Sequence, residues 1–229
     1  MPAFHQFQSK ESLYSAASLQ IAKSLSHALV RRDTATLLLS GGTTPAPVYS
    51  RLSETELDWS RIHVGLVDER WVDASHEASN ALLVRTHLLK EKAAVAQFTP
   101  MKTEHSTAAE AADTVDESYA EFKSPDVVVL GMGNDGHCAS WFPESSDLGD
   151  AMSLTTRHTV ISISAVGSSV AGKYTDRMTI TLPVVKAAKS VFLLITGAEK
   201  RRVLEQTSLQ LPIHHALSAS PQTEVFWAP

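Results

Sequence analysis

The sequence predicts an α/β fold in which helices pack against an open, mostly parallel sheet, and three observations carry that prediction. Val127–Leu130 is an apolar, valine-rich run without alternation, the pattern of a strand covered on both faces. Segments with apolar residues at helical spacing alternate along the chain with short runs of this kind. Four of the runs end in loops that hold the chemically suggestive groups, beyond the carboxyl ends of strands where open α/β sheets collect ligands.

The first helix is expected over 10–30, because Leu13, Ala17, Ile21, Leu25 and Leu29 recur every four residues as one apolar stripe. A buried strand over 36–39 follows and ends in Ser40-Gly41-Gly42-Thr43-Thr44-Pro45. Two glycines free this turn, and Pro45 suits the first turn of the next helix. Backbone N–H groups at such a helix start suit an anion, phosphate among them. The next strand, over 62–67, delivers Asp68-Glu69-Arg70, where Arg70 can face an anionic ligand while Asp68 or Glu69 holds it. Helices are expected over 80–91 and in the Ala-rich segment 107–122, and strands over 127–130, 159–163, 178–182, 191–195 and 224–227. The 191–195 strand leads through Gly197 into a helix with Lys200 in its first turn, a position where an anion offsets the unfavourable helix dipole.

The chain of 229 residues is 43% hydrophobic, enough for a large core, and residues 1–229 are expected to form one domain. A net charge of −5, with no basic cluster longer than Lys200-Arg201-Arg202, argues against a nucleic-acid partner. One cysteine excludes an intramolecular disulfide and fits a reducing compartment, so a cytoplasmic location is expected. Met1–Lys10 lacks the basic start and apolar run of a secretory signal, and no apolar stretch is long enough to span a bilayer. A monomer or weak homodimer is expected.

The densest chemistry lies after Leu130, in Gly131-Met132-Gly133-Asn134-Asp135-Gly136-His137-Cys138. Asp135 and His137 share one turn, and the glycines let a ligand approach the backbone. Its glycines also spell a dinucleotide-binding pattern, but 155–164 supplies no acid to close it, so no nicotinamide cofactor is expected. Cys138 reads as a small packed side chain, and Gly167-Ser168-Ser169-Val170-Ala171 misses the serine-hydrolase elbow at its fifth position. The ten histidines include no H-E-x-x-H pair, and the rings of His214 and His215 diverge on any regular element, so no metal is expected.

Taken together, Ser40-Gly-Gly-Thr-Thr-Pro45, Asp68-Glu-Arg70, Ser79-Asn80, Asp135-Gly-His137-Cys-Ala-Ser140 with Phe142-Pro143, and Gly197-Ala-Glu-Lys200 resemble the 6-phosphogluconolactonase family. The resemblance implies a doubly wound α/β fold, related to the Rossmann type and shared with glucosamine-6-phosphate deaminases. It also implies hydrolysis of 6-phosphogluconolactone, a phosphorylated sugar lactone of the pentose phosphate pathway. The deaminase branch has a glutamate where Phe142 stands and typically a tyrosine at the counterpart of Arg70, so both positions favour the lactonase. A non-catalytic sugar-phosphate sensor is the alternative outside enzymes, and an Asp135–His137 pair argues against it. On this reading His137 is the general base, oriented by Asp135. Arg70 stabilises the oxyanion or holds phosphate. Ser40, Gly41, Gly42, Thr43 and Lys200 bind the phosphate end, and Arg177 joins them on the resemblance alone. It lies just before the strand expected over 178–182.

Overall fold

The computed structural model describes residues 2–229. In chain order its elements are β1 (Ala3–Gln6), α1 (Lys10–Arg31), β2 (Ala35–Leu39), α2 (Pro45–Leu52), β3 (Ile62–Leu66), β4 (Asp68–Arg70), α3 (Asn80–His87), β5 (Gln97–Phe98), α4 (Ala108–Ser118), β6 (Val127–Leu130), α5 (Leu148–Met152), β7 (Val160–Ser164), β8 (Asp176–Ile180), α6 (Leu182–Ala187), β9 (Ser190–Thr196), α7 (Ala198–Glu205), α8 (Pro212–Ala219) and β10 (Glu224–Ala228). Seven strands form one parallel sheet in the order β1-β10-β9-β6-β2-β3-β5. Chain direction across the sheet reverses between β2 and β6, which makes the crevice beyond their carboxyl ends the topological switch point.

Local chemistry explains where the elements start. Ser9 caps α1 by accepting from the Ser12 N–H, with the Ser12 hydroxyl reaching back, and the stripe of Leu13, Ala17, Ile21 and Leu25 is fully buried. Pro45 opens α2 at a position that has no need of an N–H donor. Thr107 and Glu110 form a capping box at α4. The four residues of β6 are completely buried, as their lack of alternation requires. One apolar cluster runs from Leu13 on α1 to Ala228 on β10.

The structure departs from the expected layout chiefly in a second, three-stranded antiparallel sheet of order β4-β8-β7. Asp68–Arg70 is therefore a strand in its own right, separated by one residue from the end of β3. The strand expected over 178–182 occupies Asp176–Ile180, so Arg177 lies inside it and pairs in register with Arg70. The helix expected over 80–91 stops at His87, and that expected over 107–122 ends at Ser118, followed by a tight helical turn over Ala120–Lys123. The edge strands β1 and β5 carry no local signal strong enough to announce them. No helix among the described residues is long and apolar enough to cross a membrane.

Candidate active site

A cavity of about 340 Å³ opens at the switch point, lined by Ser40, Gly41, Gly42, Thr43, Arg70, His137, Arg177 and Lys200. Eight of the nine residues singled out from sequence thus meet at one place, and the ninth, Asp135, touches it through His137. Asp68, Asn80 and Ala139 also line the cavity.

The turn after β6 holds His137 in a single setting. Its Nδ1 lies 2.6 Å from Asp135 Oδ1, which also accepts from the His137 backbone N–H at 3.2 Å. Burial alone would raise the Asp135 carboxyl's pKa, but the hydrogen bond and charge of His137 outweigh it and hold the group below the usual range. An ionised carboxylate only accepts, so Nδ1 carries a hydrogen, and in the neutral ring the lone pair then lies on Nε2. Gly133 is required here because a Cβ would overlap the imidazole and the Asp135 carboxylate. The turn closes on itself through Gly133 N–H to the His137 carbonyl, 2.9 Å.

Across the cavity, Tyr49 of α2 is fully buried and donates to the Ser40 carbonyl at 2.8 Å, fixing the glycine turn from beneath. A Cβ on Gly41 would overlap the Asn80 side chain. Asn80 donates in turn to the Asp68 carbonyl and to Asp68 Oδ1, at 2.8 and 3.1 Å. Lys200 sits in the first turn of α7, where burial lowers its pKa and neighbouring Glu199 opposes the shift. Glu199 also accepts from Asn134 Nδ2 at 2.7 Å, tying α7 to the His137 turn.

The small sheet supplies the arginines. Arg70 donates from Nη1 to the Ala78 carbonyl at 2.7 Å. Arg177 is only 4% exposed and donates from Nε to the Tyr174 carbonyl at 2.6 Å, with Asp68 Oδ2 at 3.8 Å from Nη1. Burial brings its pKa down to about 10, opposed by Asp68 and reinforced by Arg70, which leaves it charged at neutral pH. Like charges opposite each other on paired strands repel, and Asp68 partly offsets this pair. Among the described residues, six buried side-chain polar atoms lack a hydrogen-bond partner, and three of them, Ser40 Oγ, Arg70 Nε and Asp135 Oδ2, belong to this site. Partnerless buried groups concentrate where function needs them. An imidazole with a free Nε2 beside a field of cations can take a proton while negative charge develops nearby.

The family model of glucosamine-6-phosphate isomerases/6-phosphogluconolactonase matches residues 8–227. The chain belongs to this family. Among its members, a 6-phosphogluconolactonase of Rhizobium meliloti (strain 1021) is 40% identical over 233 residues, covering 98% of each chain. A 6-phosphogluconolactonase of Shewanella baltica OS155 superposes with a TM-score of 0.92 at 34% identity, over 100% of this chain and 98% of that one. A monomeric glucosamine-6-phosphate deaminase superposes with a TM-score of 0.79 at 16% identity, a likeness of fold alone.

Asn80 had no assigned role at the level of sequence, and Asp68 and Glu69 were expected only as alternative partners that hold Arg70. Asp68 accepts from Ser140 Oγ at 2.6 Å besides meeting Asn80 and Arg177. Glu69 receives the Arg70 backbone N–H and not its guanidinium. Asn80 links the glycine turn to β4. Its only sequence signal was the Ser79-Asn80 pair at a helix start, where Ser79 serves as N-cap. The rejected nucleophiles stay rejected. Cys138 is buried, and burial pushes its thiol's pKa up, with Asp68 and Asp135 adding to the effect. Ser168 lies in the loop between β7 and β8, not on a strand–turn–helix elbow. His214 is held by the Leu211 N–H at Nδ1 and the Leu204 carbonyl at Nε2, a structural role in α8.

Proposed function

We propose that this chain hydrolyses 6-phospho-D-glucono-1,5-lactone to 6-phospho-D-gluconate, in the oxidative branch of the pentose phosphate pathway. The observation that carries the reading is the shared cavity: an Asp-oriented imidazole lines it together with a glycine turn, a lysine and one arginine from each of the paired strands β4 and β8. Gly41, Gly42 and Thr43 with the Lys200 ammonium grip the phosphate, the Ser40 hydroxyl supplies a further polar contact, and Arg177 adds its buried charge to the anion's field.

Binding the phosphate fixes the lactone carbonyl near His137, and position supplies much of the rate. Water attacks C1 as Nε2 of His137 takes its proton, and Arg70 stabilises the oxygen that becomes negative. Collapse of the tetrahedral centre breaks the bond from C1 to the ring oxygen. The imidazolium returns its proton to that oxygen, which leaves as a hydroxyl on the opened chain. Nothing in this sequence calls for a covalent intermediate, a metal or a redox cofactor. A monomer or weak homodimer is proposed. The continuous apolar cluster supports residues 1–229 as one domain, and the lone buried thiol suits the cytosol.

The test is the disappearance of the lactone in a pH-stat. Native protein must exceed the spontaneous rate, and His137→Ala must lose about 10²- to 10⁴-fold of the excess. Binding of 6-phosphogluconate without acceleration would sink the catalytic reading in favour of a sensor. Ammonia release from glucosamine 6-phosphate would point to the other branch of the family.

A further inference from the structure

Phe142 is buried, 1% exposed, yet it does not belong to the main core; with Ala165 and Ala171 it forms a separate small apolar cluster. Two further neighbours line the cavity. The His137 imidazole lies 4.4 Å from its ring centroid at an interplanar angle of 34°, and the Arg177 guanidinium carbon lies 5.1 Å from the same centroid. The ring therefore touches both the group read as the base and a buried cation.

Arg177 is also anchored to the β7–β8 loop, through the Tyr174 and Ala171 carbonyls. Ala171 is one of the two residues packed with Phe142. One aromatic side chain thus holds the strand β8 guanidinium, the loop that seats it and the imidazole of the turn after β6. An aromatic face attracts cations, the imidazolium and guanidinium alike. Its hydrocarbon body also occupies space through which the two cations would otherwise repel at short range.

We infer that Phe142 is a positioning residue that fixes the plane of the His137 imidazole, separates it from Arg177 and thereby sets its affinity for the proton. The inference rests on the catalytic reading of His137 and adds a part that reading does not contain. The charged groups that share the turn of His137 or line its cavity are Asp135 on that turn, Asp68 and Arg70 on β4, Arg177 on β8 and Lys200 on α7. With Asp135 unchanged, loss of the ring removes the face that stabilises the imidazolium, which weakens the hold of His137 on a proton.

The test follows the His137 imidazole by NMR titration and the pH profile of kcat/KM, in the full chain, for Phe142→Leu, Phe142→Tyr and a variant whose Phe142 ring is trifluorinated. Phe142→Leu is expected to lower the proton affinity of His137 by about tenfold, one pH unit. The acid limb of the profile moves down with it, and kcat falls by about 10- to 100-fold through misplacement of the base. Phe142→Tyr keeps the ring and restores both readouts. The fluorinated ring keeps the shape, weakens the face and gives an intermediate titration shift, a measurement that survives if Phe142→Leu does not fold. A His137 titration and acid limb unchanged in Phe142→Leu and in the fluorinated protein, whatever happens to stability, would reduce Phe142 to packing and overturn the inference. Wild-type protein without lactonase activity would instead defeat the catalytic reading, while the titrations would still report on the ring.

Discussion

Replacing Glu69 by glutamine tests whether a buried carboxylate is what builds the arginine side of the cavity. Glu69 is fully buried, and each oxygen accepts two hydrogen bonds: Oε1 from the backbone N–H groups of Arg70 and Asn80, at 2.9 and 2.7 Å, and Oε2 from Ser79 Oγ and the Ala81 N–H, at 3.0 and 2.8 Å. Burial pushes its pKa above the ordinary value, and the four hydrogen bonds pull it part of the way back. In Glu69→Gln the amide nitrogen faces two backbone N–H donors if turned toward Arg70 and Asn80; turned the other way it can donate to the Ser79 hydroxyl but still faces the Ala81 N–H. In the better orientation, losing one hydrogen bond to a charged acceptor, about 1.5–3 kcal/mol, and weakening the other three by about 0.5–1 kcal/mol each comes to about 3–6 kcal/mol, and relief from burying a charge offsets part of that. A net destabilisation of about 3 kcal/mol is therefore expected. With a urea m-value of about 3 kcal/mol/M, the unfolding midpoint drops by about 1 M. Because Arg70 and Asn80 are tied through the same carboxylate, kcat/KM should fall even where the variant is fully folded. A midpoint equal to or above that of the native protein would refute the assignment, since it would mean that desolvation outweighs all four hydrogen bonds.

Two further substitutions probe the proposed base and the phosphate grip. Asp135→Asn keeps an amide oxygen for the His137 Nδ1 and backbone N–H but removes the negative charge that favours the imidazolium formed in the reaction, and a loss of about 10- to 100-fold in kcat is expected. Because the folded pKa of Asp135 is depressed, its contribution to stability is fully present above the unfolded value of about 3.9 and is lost as pH falls through the lower folded one. The stability gap between native and Asp135→Asn should hold from neutral pH down to about pH 5 and close in stronger acid; a gap that stays constant in chemical denaturation below pH 3 would contradict this. Lys200→Met should raise KM by about 10- to 100-fold with little change in kcat, the signature of lost uniform binding. Equal inhibition of both proteins by inorganic phosphate would show that Lys200 does not hold the phosphate.

Local rules make much of the candidate site readable in the sequence. Val127–Leu130 lacks alternation because both faces of the strand are covered, and the glycines after it announce close backbone approach. The Ser40–Pro45 turn was legible for similar reasons: a short apolar run, two glycines and a proline suited to a helix start. Each signal lies within a few residues of the feature it encodes. Arg177 was harder to read. Its strand pairs with Arg70, more than a hundred positions away, and Asp176–Ile180 differs too little from a parallel-sheet strand to declare an antiparallel partner. The four-fold use of Glu69 was equally hidden, since a charged triplet at a strand end looks the same whether solvated or buried.

The sequence by itself determined that strands alternate with helices, that their carboxyl ends carry the reactive groups, and which motifs mark the family, because those properties follow from local sterics and apolar periodicity. Only the tertiary structure decided that β4, β7 and β8 leave the main sheet to build their own, that Asp68 and Asn80 join the cavity, and that Phe142 stands between His137 and Arg177. Those contacts join segments distant in the chain, and their energies depend on burial and geometry that arise only once the whole chain has packed.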